Sequence, residues 1–191
     1  MKESGLSIIR QFRRHYLSYF SKPRSDHCLY RAIVRRSVTS IVELGIGLAH
    51  RSRRMIQVAE AGSSARIRYT GIDEFESRSA QGEAGIPLKE AHQFLRPTGA
   101  KIQLTPGDPF SALARTANSL TGTDLLVVSA DLDAASLRSA WFYIPRMLHA
   151  RTLVFLEEPA PDGEGMRFVQ LAAGEVNRLA DLCRPCYRRA A

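Results

Sequence analysis

The run Val42-Glu43-Leu44-Gly45-Ile46-Gly47-Leu48-Ala49-His50 sets a carboxylate just ahead of two glycines that are themselves two apart. Such a pair permits a tight turn and lets backbone N–H groups approach a ligand before a helix begins. Glu43 beside that turn would repel a pyrophosphate but could receive an ammonium group. A dinucleotide fingerprint would need a third glycine where His50 stands, and the Gly-Lys-Ser/Thr of a phosphate loop is absent. Four later segments also place polar groups directly after a β-rich run: Thr70-Gly71-Ile72-Asp73, Gly107-Asp108-Pro109, Ser129-Ala130-Asp131-Leu132-Asp133 and Glu157-Glu158. Asp131 is placed to act as general base toward a substrate hydroxyl, or else to cap the next helix, as Asp133 also could. Asp73 and Asp108 have the same two readings, toward a ligand or as the cap of a turn.

Other reactive residues point to no chemistry. Cys183 and Cys186 have cysteine spacing for zinc, but only His27 and Cys28 remain to complete four ligands. A redox pair of that spacing would follow the first strand rather than end the chain. The five histidines show no metal spacing, so no metal is expected. Trp141, Phe142 and Tyr143 read as core rather than as an aromatic cage.

The elements that must position these residues alternate. Strand expectations fall at Val38–Leu44, Ile67–Ile72, Lys101–Thr105, Asp124–Ser129 and Thr152–Glu157, with helices near 50–62, 87–96, 110–119 and 134–149 between them. A weak edge strand at Met166–Leu171 and a helix at Ala173–Leu182 close the chain. The run Leu125-Leu126-Val127-Val128 is apolar throughout, as a strand buried on both faces requires. The predicted fold is therefore α/β: a doubly wound, mostly parallel sheet with helices on both faces and an N-terminal helical extension. Residues 1–37 form the basic extension and 38–191 the sheet domain. Within the extension, Leu6, Ile9, Phe12, Tyr16 and Tyr19 or Phe20 recur at helical spacing as an apolar face. Asp26 is the expected N-cap of a second helix carrying Leu29, Ile33 and Val34.

Charge is unevenly spread. Residues 1–54 hold 12 Lys or Arg against three acids, a balance of +9, whereas the other 137 residues hold 15 against 16, a balance of −1. Such a surface can attract a phosphate-rich partner. Arginine outnumbers lysine 23 to 4 over the whole chain, which favours a general habit of composition over a nucleic-acid site. No apolar run approaches the roughly 18 residues of a membrane span. Arg10, Arg13 and Arg14 interrupt any signal-peptide core. Three cysteines make no disulfide scaffold, so the cytoplasm is the expected compartment.

The ordered strand ends resemble the class I S-adenosylmethionine-dependent methyltransferases. Glu43-Leu44-Gly45-Ile46-Gly47 is similar to that family's first motif. Thr70-Gly71-Ile72-Asp73 matches the strand whose terminal acid grips both ribose hydroxyls. Gly107-Asp108-Pro109-Phe110 resembles the segment that contacts adenine. The resemblance implies S-adenosylmethionine as cofactor, with Glu43, Gly45, Gly47, Asp73, Asp108 and Ser129 on its side of the site and Asp131 as the catalytic candidate. Ala49 stands where many members have a third small residue, usually glycine. Ser129 stands where the cation-dependent members carry a metal-binding Asp. The implied function is methyl transfer to a small-molecule acceptor, with a non-catalytic binding or scaffold protein of the same fold as the alternative and a nicotinamide oxidoreductase as a more distant one. Nucleic acid is possible as a partner but not favoured. A sheet edge left open after the fifth strand suggests a homodimer.

Overall fold

The computed structural model describes residues 2–78 and 85–183, without the side chains of residues 2–10. Two helices, α1 (Lys2–Tyr19) and α2 (His27–Arg36), precede the alternating elements β1 (Ser40–Leu44), α3 (His50–Gly62), β2 (Arg68–Asp73), α4 (Leu88–Leu95), β3 (Lys101–Pro106), α5 (Pro109–Thr116), β4 (Thr123–Val128), α6 (Ala134–Ala140) and β5 (Leu148–Pro159). The chain then turns back through β6 (Met166–Leu171) into α7 (Ala173–Leu182). The six strands lie in the order β3-β2-β1-β4-β5-β6, and only β6 runs antiparallel. The order reverses direction between β1 and β4, which is where a doubly wound sheet opens a crevice beyond its strand ends.

Alternation along the strands divides the core in two. Ile41, Leu125 and Val127 point to one face, beneath Leu29, Tyr30, Ile33, Met55 and Leu95. Val42, Leu44, Leu126 and Val128 point to the other, beneath Leu113, Trp141, Ile144 and Met147. Each such fully buried aliphatic side chain contributes about 1.5–3 kcal/mol. Leu29, Tyr30 and Ile33 of α2 belong to the first core, so the N-terminal segment is built into the sheet's helical cover.

Four expectations need correction. The helix near 134–149 stops at Ala140, and Ile144-Pro145-Arg146 forms a 3-10 turn, because Pro145 has no N–H to continue a helix. β5 accordingly starts at Leu148, earlier than Thr152. On α1, Leu17 and Ser18 face inward, while Phe12, Tyr16, Tyr19 and Phe20 are all exposed, so the aromatic stripe lies outside. Asp26 ends a 3-10 turn without capping α2, and its carboxylate instead accepts the Tyr30 hydroxyl at 3.0 Å.

Candidate active site

The carboxyl ends of β1, β2 and β4 are held level by backbone bonds. Gly45 donates to Ile72 at 2.8 Å, Ser129 to Leu44 at 2.9 Å and Gly107 to Asp73 at 2.9 Å. Gly45, at φ +79°, lies against β4: a Cβ there would come within 2.7 Å of Ser129 Cβ. Gly47, at φ +54°, is different, since a Cβ would meet nothing within 4 Å. Its backbone faces open space, as a ligand-approaching turn requires. Ala49 completes the turn in the left-handed region, at φ +59°, fully buried before α3.

Glu43 falls on the α3 side of the sheet because strand residues alternate. It is completely buried, and Arg51 Nε donates to it at 2.8 Å, Ser52 Oγ at 2.7 Å and the Tyr69 hydroxyl at 2.6 Å. Burial together with this carboxylate pushes the Tyr69 phenol well above its ordinary value. Glu43 is thus sealed from the cleft, and where it could have received an external ammonium it instead holds the Arg51 guanidinium. The same guanidinium donates to the Gly45 carbonyl at 3.2 Å, to Ser129 Oγ at 3.0 Å and to Glu157 at 3.2 Å. Burial disfavours its charge, but Glu43 and Glu157 outweigh that and hold it more firmly protonated than free arginine. One side chain thus ties together the ends of β1, β4 and β5.

Asp73 lies at the end of β2, facing the glycine turn. One oxygen accepts the amides of Ile46 at 2.7 Å and Gly47 at 3.2 Å, and the other accepts the Phe75 amide at 2.9 Å. Arg78 then donates to both, at 2.5 and 2.7 Å, and reaches Asp131 at 2.6 Å with its remaining nitrogen. Burial alone would raise the Asp73 carboxyl, but Arg78 and the amides hold it below the usual range. Asp108 caps α5, accepting from the Phe110 and Ser111 amides at 3.0 and 3.1 Å and from the hydroxyls of Ser111 and Ser136. Burial opposes these bonds, yet they take its carboxyl down to about 2. Asp133 caps α6 through the Ser136 amide.

Two hollows flank this arrangement. A cleft of about 770 Å³ is bordered by Asp26, Gly47, Arg51, Ser129, Asp131 and Glu157. A smaller one of about 260 Å³ lies among Asp73, Arg78, Gly107, Pro109 and Asp131. Asp131 belongs to both walls, and Arg78 joins it to Asp73. Asp26 is also buried, which raises its carboxyl despite the nearby Arg51.

The structure thus brings Glu43, Gly45, Gly47, Asp73, Ser129 and Asp131 together and sets Asp108 on the adjoining helix start. His50 is exposed, with its ring edge-on to Phe94 at 5.2 Å. Trp141 is buried, whereas Phe142 and Tyr143 are half-buried beneath Arg146. No cluster of three or more metal-ligating side chains occurs among the described residues, and Cys186 lies outside them. Sequence reasoning counted Arg51 only as surface charge and did not single out Arg78. The available signal was spacing: Arg51 stands in the first turn after the glycines, beside Ser52, and Arg78 follows Asp73 by five residues.

No protein-family model and no curated protein sequence matches the chain. Among solved structures it is similar to the O-methyltransferase TomG from Streptomyces achromogenes, in complex with S-adenosylmethionine, at a TM-score of 0.54 and 16% identity over 85% of this chain and 68% of that one. It is also similar to the O-methyltransferase from Bacillus cereus, in complex with the demethylated cofactor, at 0.53 and 12% over 76% of this chain. The chain spans 61% of that second structure. The fold is that of the class I methyltransferases. In this methyltransferase fold the glycine turn after β1 and the acid after β2 occupy the crevice where the strand order reverses. The sheet has one antiparallel strand beyond β5 and, among the described residues, no strand on the far side of β6.

Proposed function

We propose that the protein is an S-adenosylmethionine-dependent methyltransferase acting on a small molecule. The observation that carries this reading is the Gly45–Gly47 turn, whose open backbone lies against the Asp73 carboxylate at the reversal point of the sheet. The two neighbours solved with the cofactor or its product add support.

The residues fit that cofactor at two points. Gly47 leaves space for close approach, and Asp73 can accept a ribose diol once Arg78 yields its place. Glu43 does not fit an ammonium role, because it is fully buried beneath the Arg51 guanidinium. When bound, the cofactor supplies an electrophilic methyl group on sulfur. What the chain supplies is orientation, which can by itself remove several kcal/mol of barrier. Ser129 and Arg51 border the cleft in which an acceptor would lie. Asp131 is the candidate proton acceptor, and Asp26, which also borders the cleft, is a second.

Titration calorimetry with S-adenosylmethionine and its demethylated product tests the reading. Heat of binding at micromolar to submillimolar ligand is expected. The second reading, a non-catalytic protein of this fold, is favoured by the arginines that already satisfy Glu43 and Asp73, and it predicts no heat at millimolar ligand. No strand covers the outer edge of β6 among the described residues, and such an edge suits pairing with a second copy, so we also propose a homodimer. A monomeric mass by light scattering at tens of micromolar would exclude it.

A further inference from the structure

The 12 cations of residues 1–54 face only three acids, and two of those, Asp26 and Glu43, are buried at 3% and 0% exposure. Residues 11–54 therefore offer no exposed carboxylate to balance their arginines. Arg51 is the one cation of this stretch found in an ion pair, and no pair among the described residues involves an arginine of α1 or α2. No exposed acid within residues 11–54 balances these arginines, and such a positive surface concentrates polyanions.

The surface is also grooved and aromatic. Between α1 and α2 runs a groove of about 350 Å³ lined by Arg14, His15, Tyr19, Arg31 and Arg35, without an acid. On the other flank of α2, Arg31 and Arg35 join Arg36 and Gln170 in a second hollow of about 380 Å³, again without an acid. Tyr19, exposed by 52%, meets the His15 ring at 4.9 Å along the first groove. Tyr16 and Phe20 stack at 6.3 Å and 20° beside it, each more than half exposed. Exposed rings alternating with guanidinium groups are what an unpaired nucleic-acid strand uses: phosphates take the cations and bases stack on the rings. A bilayer would be met by a convex apolar face with cations at its borders, whereas here Tyr19 and three arginines share one concave wall. A duplex keeps its base faces covered and has no use for the rings.

We propose that the α1–α2 surface binds single-stranded nucleic acid, with Arg14, Arg31 and Arg35 on phosphates and Tyr19 as a stacking platform. This does not depend on the cofactor reading. The test is fluorescence anisotropy with a labelled twelve-nucleotide oligouridylate over a range of salt concentrations. Three phosphate contacts predict a slope of log K against log salt of about −2. The double variant Arg31→Ala/Arg35→Ala should flatten it toward about −1. Tyr19→Ala should weaken binding by roughly 5- to 150-fold at an unchanged slope. All three positions are exposed, so melting temperatures should stay close to that of the parent. Absence of oligouridylate binding at low salt would overturn the proposal. So would equal affinity for a duplex of the same length with Tyr19→Ala silent, or binding to phosphatidylserine vesicles while the oligouridylate is ignored.

Discussion

Two glycines two residues apart do different work, and their variants should separate folding from binding. At Gly45 a methyl group would collide with Ser129 in a backbone already at φ +79°. Gly45→Ala is therefore expected to cost about 2–5 kcal/mol of stability, read by urea denaturation. At Gly47 the methyl meets nothing, and Ala49 shows that alanine tolerates nearly the same φ in this chain. Gly47→Ala should cost only the backbone strain, about 1–2 kcal/mol, and act by intruding on a ligand. Arg51 is bound up with Glu43 in a different way. Arg51→Met would strand a fully buried carboxylate, for an expected loss of about 3–5 kcal/mol in the same measurement. Asp73 is a poor probe of ribose binding, because removing it also orphans the Ile46, Gly47 and Phe75 amides. Arg78 is the better one: its removal empties the diol's place and leaves the turn intact.

At the level of elements, the strands and their order of appearance were legible because alternation and apolar runs are local properties of the sequence. Leu125 to Val128 could be read as a central strand, and the polar groups after each strand as crevice residues. The end of α6 was less legible, since Leu137 to Met147 keep a helical rhythm that Pro145 interrupts only near its close. The aromatic face of α1 was misread because periodicity reveals a stripe but not whether a neighbour covers it. Arg51 and Arg78 were hidden for a related reason. Glu43 and Asp73 lie only 8 and 5 residues from them, but their second partners, Glu157 and Asp131, lie 106 and 53 residues away, and only the assembled sheet brings those close. The cap of α5 offers a prediction at this scale. Asp108→Ala should lower stability by about 1–2 kcal/mol, and Asp108→Asn by less, in thermal or urea unfolding.

For the molecule as a whole, pH response follows from the same carboxylates. Asp73, Asp108 and Asp124 are depressed below their ordinary value near 3.8, so the stability they contribute is complete above that value and is lost as pH falls through their folded values. Asp26 is raised, so its buried charge costs stability at neutral pH, and that cost is relieved as pH falls through its folded value. The melting temperature should thus drop below about pH 4, and Asp26→Asn should raise it at neutral pH by removing a buried charge. Whether the crevice above Gly45 and Gly47 holds S-adenosylmethionine is decided by melting temperatures with and without the demethylated cofactor for the parent protein, Arg78→Gln and Gly47→Ala. Stabilisation by ligand is expected in the parent, greater stabilisation in Arg78→Gln with roughly 10-fold tighter binding or more, and little in Gly47→Ala beyond its modestly lowered unliganded melting temperature. No shift at millimolar ligand in either the parent or Arg78→Gln would contradict cofactor binding there.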